Sequence, residues 1–528
     1  MFWADQLIQN LEKKSHHRVD DMKTPSGHAH AGSLRAIATH GIVYEAMKKA
    51  GYDVDFTYVV NDMDPMDGLP VYLAEEEYSQ HMGKPLFTIP APDKKSESFA
   101  HQYAHEYIGA FNHIGFTPKI LWSHELYKSG VMDEYIRQAL DGVEKIRTIY
   151  KKVADQNKPE GWYPFQVICP DCGKIGSSLV TDWDGEVVTY ECKSDLVKWA
   201  VGCGTSGKIS PFGGTGKLMW KVDWAAHWAH IGVTVEGAGK DHFSAGGSRY
   251  VSAAVMQEVF EKEPPFGFLH EFLLIGGAKM SSSKGNAVTA AEFVTLLPPT
   301  IGKFLFVRTA YQRAINFDPT LSATIPDLFD EYDRCAKAFF ESGTETDMGR
   351  MYEAAQIGEP SSASWQIVKM LLPRFRQVAT LIQMPSVDVN KFFETEKGSA
   401  LTQPEQEVLQ ERIRFAKIWL ERYADEKDTF QKSKTLPPRA CELDTDQKQF
   451  LSRVATDLLS KYYSDGEALQ QAIFELSKTV GVAPKKAFQA IYLVLINKDH
   501  GPKAGWLLYD ELQSNKDFLI ERFTSDIA

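Results

Sequence analysis

Two segments more than two hundred residues apart constrain this 528-residue chain more than any other feature, because each joins a strand or turn to a helix. The first is Pro25-Ser26-Gly27-His28-Ala29-His30-Ala31-Gly32-Ser33. It runs into a pattern from Leu34 to Lys49 in which Leu34, Ile37, Ala38, Val43 and Met47 recur at near-helical spacing, with Gly51 as the stop. A turn that feeds a helix start offers unpaired N–H groups and the positive end of the helix dipole to an anion. Gly27 and Gly32 leave the backbone bare, and His28 and His30 add donors without much bulk. The second segment follows Phe268 to Ile275, an apolar, β-prone run that ends at Gly276-Gly277. There Lys279-Met280-Ser281-Ser282-Ser283-Lys284-Gly285-Asn286 places three hydroxyls between two lysines, and Thr289 to Glu292 supplies a capping box for the next helix. Such a composition suits a polyphosphate whose charge rises as a bond breaks. Alone, the first segment reads equally as a turn with incidental histidines and the second as a solvated Ser/Lys linker. As a pair they predict opposite walls of one nucleotide site.

These motifs resemble the class I aminoacyl-tRNA synthetases, which carry a His-x-Gly-His type signature early and a Lys-Met-Ser-Lys-Ser type signature after the last strand of a split nucleotide-binding fold. His30-Ala31-Gly32-Ser33 and Lys279-Met280-Ser281-Ser282-Ser283 occupy those places, with Ser33 replacing the usual His or Asn and Ser282 the second Lys. Lys284 is the candidate to supply the missing charge. Trp3-Ala4-Asp5, Trp220 to Trp224, Gly239-Lys240-Asp241-His242, Ala245 to Ser248 and Gly501 to Trp506 are similar to the lysine-specific branch of that class. The resemblance implies activation of lysine by ATP with Mg²⁺, then transfer to the terminal adenosine of tRNA(Lys). Composition and spacing do not themselves select the amino acid. A synthetase for glutamate or arginine, or a non-catalytic paralogue that binds tRNA or protein, stays open at this level.

An ammonium in a pocket needs an anion, since an unpaired buried charge costs several kcal/mol. Asp62 and Asp64, after the expected strand Val54 to Val60, are the candidates, with Asp241 a third. Trp220 and His242 match the family's amino-acid pocket, where an indole can wall the lysine stem. The bland alternatives are a core Trp220, solvated Asp223 and Asp241, and a structural His242. Gly246-Gly247 is expected to admit ribose or adenine by close backbone approach. His101 and His105 share a helical face at metal-ligand spacing but lack an evident third ligand, and are read as surface or satisfied core residues.

Cys169-Pro170-Asp171-Cys172, Cys192 and Cys203 have the makings of a tetrahedral zinc site. A redox dithiol or a metal-free relic are the alternatives. Cys335 and Cys441 are expected as buried thiols. Hydrophobic content of 43% with 24% charged residues describes an ordinary globular protein, and a net charge of −12 requires that any tRNA-binding basic surface be local. No apolar run is long enough to span a membrane, and the first eighteen residues lack the apolar heart of a signal peptide. A cytoplasmic location is expected.

The expected fold class is α/β: a split Rossmann-like parallel sheet with an inserted helical and zinc-ribbon region, then an all-α C-terminal anticodon-binding region. Residues 1–80 and 216–300 form the halves of the catalytic domain, 81–215 the insertion, 301–347 a helical connector and 348–528 the anticodon-binding region. Within the insertion, Ser96 to Gln156 is expected to be largely helical and Trp162 to Phe212 to be the cysteine ribbon. The sheet resumes with Ile231 to Val235 and Gly237 to Gly247, a Gly-rich turn opening the helix that contains Ala253 to Phe260, and the chain is expected to stay helical after Asn286.

Overall fold

A computed structural model describes residues 1–276, 278–279, 288–358, 370–384, 387–430 and 432–524. The side chains of Ile275, Ala278, Lys279 and Asp510 fall outside the description, as do Met280, Ser281, Ser282, Ser283 and Lys284 entirely. Two compact units emerge. One comprises Met1–Asp318 with Arg334–Gln366, the other Pro319–Asp333 with Ile367–Ala528.

The described residues of the first unit build a five-stranded sheet in the order Phe266–His270, Val235–Gly239, His17–Lys23, Val54–Val60, Lys119–Trp122. Every neighbouring pair is parallel. The chain starts at the central strand, steps twice to one side, then returns to fill the other. Strand order therefore reverses beside His17–Lys23, and in open parallel sheets ligands bind outside the carboxyl ends at such a point. The helix Leu34–Lys49 takes the bounds its apolar spacing predicts, and Leu34, Ile37, Ala38, Val43 and Met47 are all buried.

Several expectations are corrected. Ser96 to Gln156 holds the helices Phe99–His113, Ser123–Lys128, Asp133–Asp141 and Val143–Ala154, but also the edge strand Lys119–Trp122. Ile231 closes the helix Trp220–Ile231, whose turn is stopped by Gly232 in the left-handed region, so the strand begins only at Val235. Phe268 to Ile275 is not one strand. It divides into Phe266–His270 and Leu273–Ile275, because Glu271 and Phe272 bond to Tyr311 and Ile315 and carry the chain into a second sheet. That sheet includes Ile315–Asn316, a short strand in a stretch expected to be helical. Strands Ser178–Trp183, Val188–Cys192 and Ser206–Ile209 form an antiparallel ribbon within the cysteine-bearing segment.

In the second unit the described elements are helices and short 3-10 turns. Gly466–Val480 packs on Ala504–Ser514, and Thr445–Ser460 on Lys516–Thr524, around a core that includes Phe450, Leu451, Ile491 and Leu507. The buried Arg412 guanidinium is paired with Asp333. Cys335, in the first unit, is buried as expected, whereas Cys441, in the second, is exposed, because it lies on the 3-10 turn Pro438–Glu442 where only Ala440 faces inward. No single described helix is long and apolar enough to cross a membrane.

Candidate active site

The first loop leaves the central strand at Lys23 and is shaped by its neighbours. Gly27 has φ +140°, and a Cβ there would lie 2.4 Å from the Tyr72 hydroxyl, so a glycine is required by conformation and by space. The same hydroxyl accepts a 2.8 Å bond from the His28 N–H. The His28 ring sits between Tyr72 and Tyr103 and meets both Glu106 oxygens at 2.7–2.8 Å. That bond to Glu106 raises the His28 pKa above its ordinary value against the opposing effect of burial. His30 is extended and begins the 3-10 turn Ala31–Ser33, which passes directly into the helix at Leu34. Ser33 Oγ is buried with no hydrogen-bond partner among the described residues.

The exit of the second loop returns to this turn. Ala31 N–H donates to Val288 O at 2.9 Å, Ala290 N–H donates to Ala29 O at 2.7 Å, and His30 and Thr289 form an antiparallel bridge. Its entry strand, Leu273–Ile275, also packs beside Ala31–Ser33 and pairs with Ala278–Lys279. The Thr289–Glu292 capping box is present and opens the helix Ala290–Phe293. The backbone of Lys279 is thereby placed on a strand antiparallel to one that touches the first turn. Met280 to Lys284 lie outside the described residues.

Trp220 and His242 come together across two elements. Trp220, 47% exposed, starts the helix Trp220–Ile231, while Asp241 and His242 lie on the 3-10 turn Lys240–Phe243 after the strand Val235–Gly239. The His242 ring lies edge-on to Trp220 at 6.2 Å and to Trp224 at 5.5 Å. Gly246 and Gly247 have an internal packing reason. A Cβ on Gly247 would meet His242 O at 2.4 Å, and one on Gly246 would meet Ala154 Cα at 3.2 Å.

Asp62 and Asp64 stand at the carboxyl end of Val54–Val60, but their carboxylates are engaged within the protein. Asp62 is fully buried; His124 N–H donates to Oδ1 at 2.9 Å and the His124 ring binds Oδ2. Asp64 takes the Thr24 hydroxyl on one oxygen and Lys217 Nζ on the other at 2.6 Å. Lys217, 1% exposed, also reaches Asn61 Oδ1 at 3.0 Å and Asp223 Oδ2 at 2.9 Å. Tyr127 and His227 complete the Asp223 carboxylate. Burial alone would lower the Lys217 pKa, but Asp223 and Asp64 outweigh it and hold it above the ordinary value. Burial likewise opposes the Asp223 charge, and His227 and Lys217 overcome it to leave the carboxyl well below its usual range. Asp223 is thus buried rather than solvated. Lys217 carried no sequence signal, since it stands alone between the cysteine ribbon and the Trp-rich helix.

Deeper in the same face lies a second group that sequence reasoning missed. Asp20 on the central strand and Glu236 on its neighbour are 0% and 2% exposed. They follow the paired residues Val19 and Val235 by one position, so they sit side by side. Trp224 Nε1 donates to Glu236 Oε1 at 2.8 Å, and the Trp228 indole binds Oε2. The Thr57 hydroxyl binds Asp20 Oδ1, while Oδ2 is buried without a partner among the described residues. Burial, then the proximity of Glu236, pushes the Asp20 pKa well up, and burial lifts Glu236 to about 7. On the opposite side of the strand pair, Gly237 N–H donates to His40 Nε2 at 2.7 Å and the ring's Nδ1 meets Ala36 O at 2.8 Å, which fixes a neutral tautomer. His101 and His105 have Nε2 atoms 3.0 Å apart and lie against Trp122, with no third ligand among the described residues.

The four cysteines converge. All four Sγ atoms lie within 4.8 Å of one another, with Cys169–Cys203 and Cys172–Cys192 each at 3.6 Å. A tetrahedral zinc with bonds of about 2.3 Å needs sulfur separations of about 3.8 Å, so the donor set fits that ion. Gly173 N–H to Cys169 O and Gly204 N–H to Cys192 O, both 2.8 Å, form the two knuckles. The second therefore exists despite the ten-residue spacer. Hydrogen bonds from Thr205 draw the Cys203 thiol down to about 6.

A parallel sheet whose strand order reverses beside the central strand, with the turn after that strand bonded to Val288 and Ala290, accords with the family model that matches this chain, that of the class I tRNA synthetases. A family model described as tRNA synthetases class I (K) matches residues 1–358. The chain is 32% identical over 544 residues to a lysine–tRNA ligase of Methanosarcina barkeri, covering 99% of this chain and 97% of that one. It is 32% identical over 513 residues to one of Archaeoglobus fulgidus, covering 96% and 97%. To one of Thermoplasma acidophilum it is 30% identical over 537 residues, covering 100% and 99%. The chain belongs to the lysine family of class I tRNA synthetases.

Proposed function

We propose that the protein is a lysine–tRNA ligase: it activates lysine with ATP to lysyl-adenylate, releasing pyrophosphate, and transfers lysine to the terminal adenosine of tRNA(Lys). The observation that carries this reading is the backbone pairing of Ala29–Ala31 with Val288–Ala290, which ties both nucleotide-gripping segments to one helix start. The lysine carboxylate is already a nucleophile, so the protein's task is to align it with the α-phosphate and to stabilise the departing charge. His30, the bare backbone at Gly32 and the hydroxyl of Ser33 face that task at the helix start. Lys279 and Lys284, with the three serines between them, close over the leaving group. ATP enters as its magnesium complex, which offsets phosphate charge. Trp220 and His242 wall the amino-acid side, with Asp241 on the same turn as His242. Asp62 and Asp64 brace the carboxyl end of Val54–Val60 through the bonds they already make to His124, Thr24 and Lys217.

Cys169, Cys172, Cys192 and Cys203 hold a structural zinc that supplies cross-linking of the ribbon. Residues 348–528 supply the anticodon-binding surface, and the enzyme works in the cytoplasm. Lysine-dependent ATP–pyrophosphate exchange, with the other amino acids tried one at a time, tests the reading. Exchange is expected with lysine, and a preference for glutamate or arginine would overturn it.

A further inference from the structure

We propose that the side-chain ammonium of the substrate is received by Asp20, with Glu236 beside it, beneath the indole of Trp224 and inward of Trp220 and His242. The inference rests on the lysine-activating reading above and assigns the residue that selects the cation.

Geometry carries it. Asp20, Thr57 and Glu236 occupy adjacent positions on three neighbouring strands, and the Trp224 and Trp228 indoles of the helix Trp220–Ile231 bond to Glu236, so this helix covers that carboxylate. Trp224 connects Glu236 to His242, because its ring nitrogen binds the one while its ring meets the other. Asp20 lies three residues before the strand's end at Lys23, a depth of about 10 Å at the usual rise per residue. A carboxylate at the loop end, a four-carbon stem and one hydrogen bond span that depth. Asp62 and Asp64 stand at the strand end itself, with their oxygens engaged.

Charge points the same way. The groups around the pair are Arg18 and Asp21 on the same strand, Glu236 on the next, and His40 and Arg249 beyond Glu236. Arg18 is drawn to Asp55 and to Ile231 O. His40 is held neutral, and Asp21 faces Tyr58 and Tyr107 on the other side of the sheet. Arg249, stacked on Trp228 at 4.9 Å, offsets one of the two carboxylates. Asp20 is left with an Oδ2 that has no partner among the described residues, and without a cation beside it burial favours a proton on that carboxyl. A buried carboxylate in that condition is costly unless a cation completes it. The aromatic rings would take up the apolar stem.

The test is lysine-dependent ATP–pyrophosphate exchange by the full chain. Asp20→Asn keeps the shape and a partner for Thr57 but removes the charge. Its lysine KM is expected to rise roughly thirty-fold or more, as for loss of a buried charge-assisted pair, with the ATP KM little changed. In the unmodified protein the lysine KM should climb as pH falls, because a protonated Asp20 cannot receive an ammonium, while the ATP KM does not follow. Thr57→Val, which frees Asp20 Oδ1, should raise the lysine KM by a smaller factor if Asp20→Asn fails to fold. An unchanged lysine KM in a folded Asp20→Asn, or a lysine KM independent of pH, overturns this inference and leaves the lysine-activating reading standing. Absence of lysine-dependent exchange in the unmodified protein overturns both.

Discussion

Ala290 donates its backbone N–H to the carbonyl of Ala29 at 2.7 Å, so the chain a few residues beyond the Ser/Lys-rich segment is bonded to the Gly/His turn near the start. This places two stretches distant in sequence on one short antiparallel bridge.

Ala290→Pro isolates that bond. Ala290 is the first residue of its helix, where proline is tolerated, and Thr289 already has the extended φ of −68° and ψ of 157° that precede proline comfortably. The substitution removes the N–H and leaves the Ala29 carbonyl unsatisfied, a loss of about 1–3 kcal/mol. The ATP KM is expected to rise roughly ten-fold, with the lysine KM less affected. Ala290→Val, which adds bulk but keeps the N–H, is the control, and steady-state exchange kinetics read the difference.

Lys217→Met should destabilise the first unit strongly. The change leaves the carboxylates of Asp64 and Asp223 without their shared cation, and breaking a buried pair costs about 3–5 kcal/mol. A lower melting temperature is expected. Adding Asp223→Asn should recover part of the loss, and a double-mutant cycle that shows no coupling would contradict the network.

One zinc per chain is expected in purified protein by metal analysis, and none after Cys172→Ser, which removes one of four mutually close sulfurs. Limited proteolysis should then cut within residues 165–218, since the ribbon has lost its cross-link. A metal-free protein with an intact ribbon would refute the zinc assignment.

The sheet was partly legible in the sequence. Val54–Val60 has the same bounds in sequence and structure because it is apolar and β-prone throughout its buried half. The central strand His17–Lys23 escaped detection, since its buried positions include Asp20 and Asp21, which break the apolar alternation. The chemistry that hid this strand is the chemistry proposed to select the substrate, and local rules are expected to fail at functional positions. The neighbouring rings of Trp220 and His242 were singled out by resemblance. Lys217, His124 and Glu236 were not, because a solitary charged residue gives no pattern until the fold supplies its partner.

Glu106→Gln separates the role of His28 from that of its neighbours. The Glu106 bond raises the His28 pKa in the folded protein, so its contribution to stability is fully present below the ordinary histidine value of about 6.5 and disappears as pH rises through the raised one. The stability difference between the unmodified protein and Glu106→Gln should therefore be largest in mildly acidic solution and fade toward alkaline pH. The His28 side chain is about one-third exposed, at 35%, so solvent screening keeps the difference small. Thermal midpoints across a pH series measure it, and the His28 ring resonances should titrate lower in the variant. A difference that grows with rising pH would mean that Glu106 holds a neutral His28, and that the turn at Gly27 is anchored through the Tyr72 hydroxyl instead.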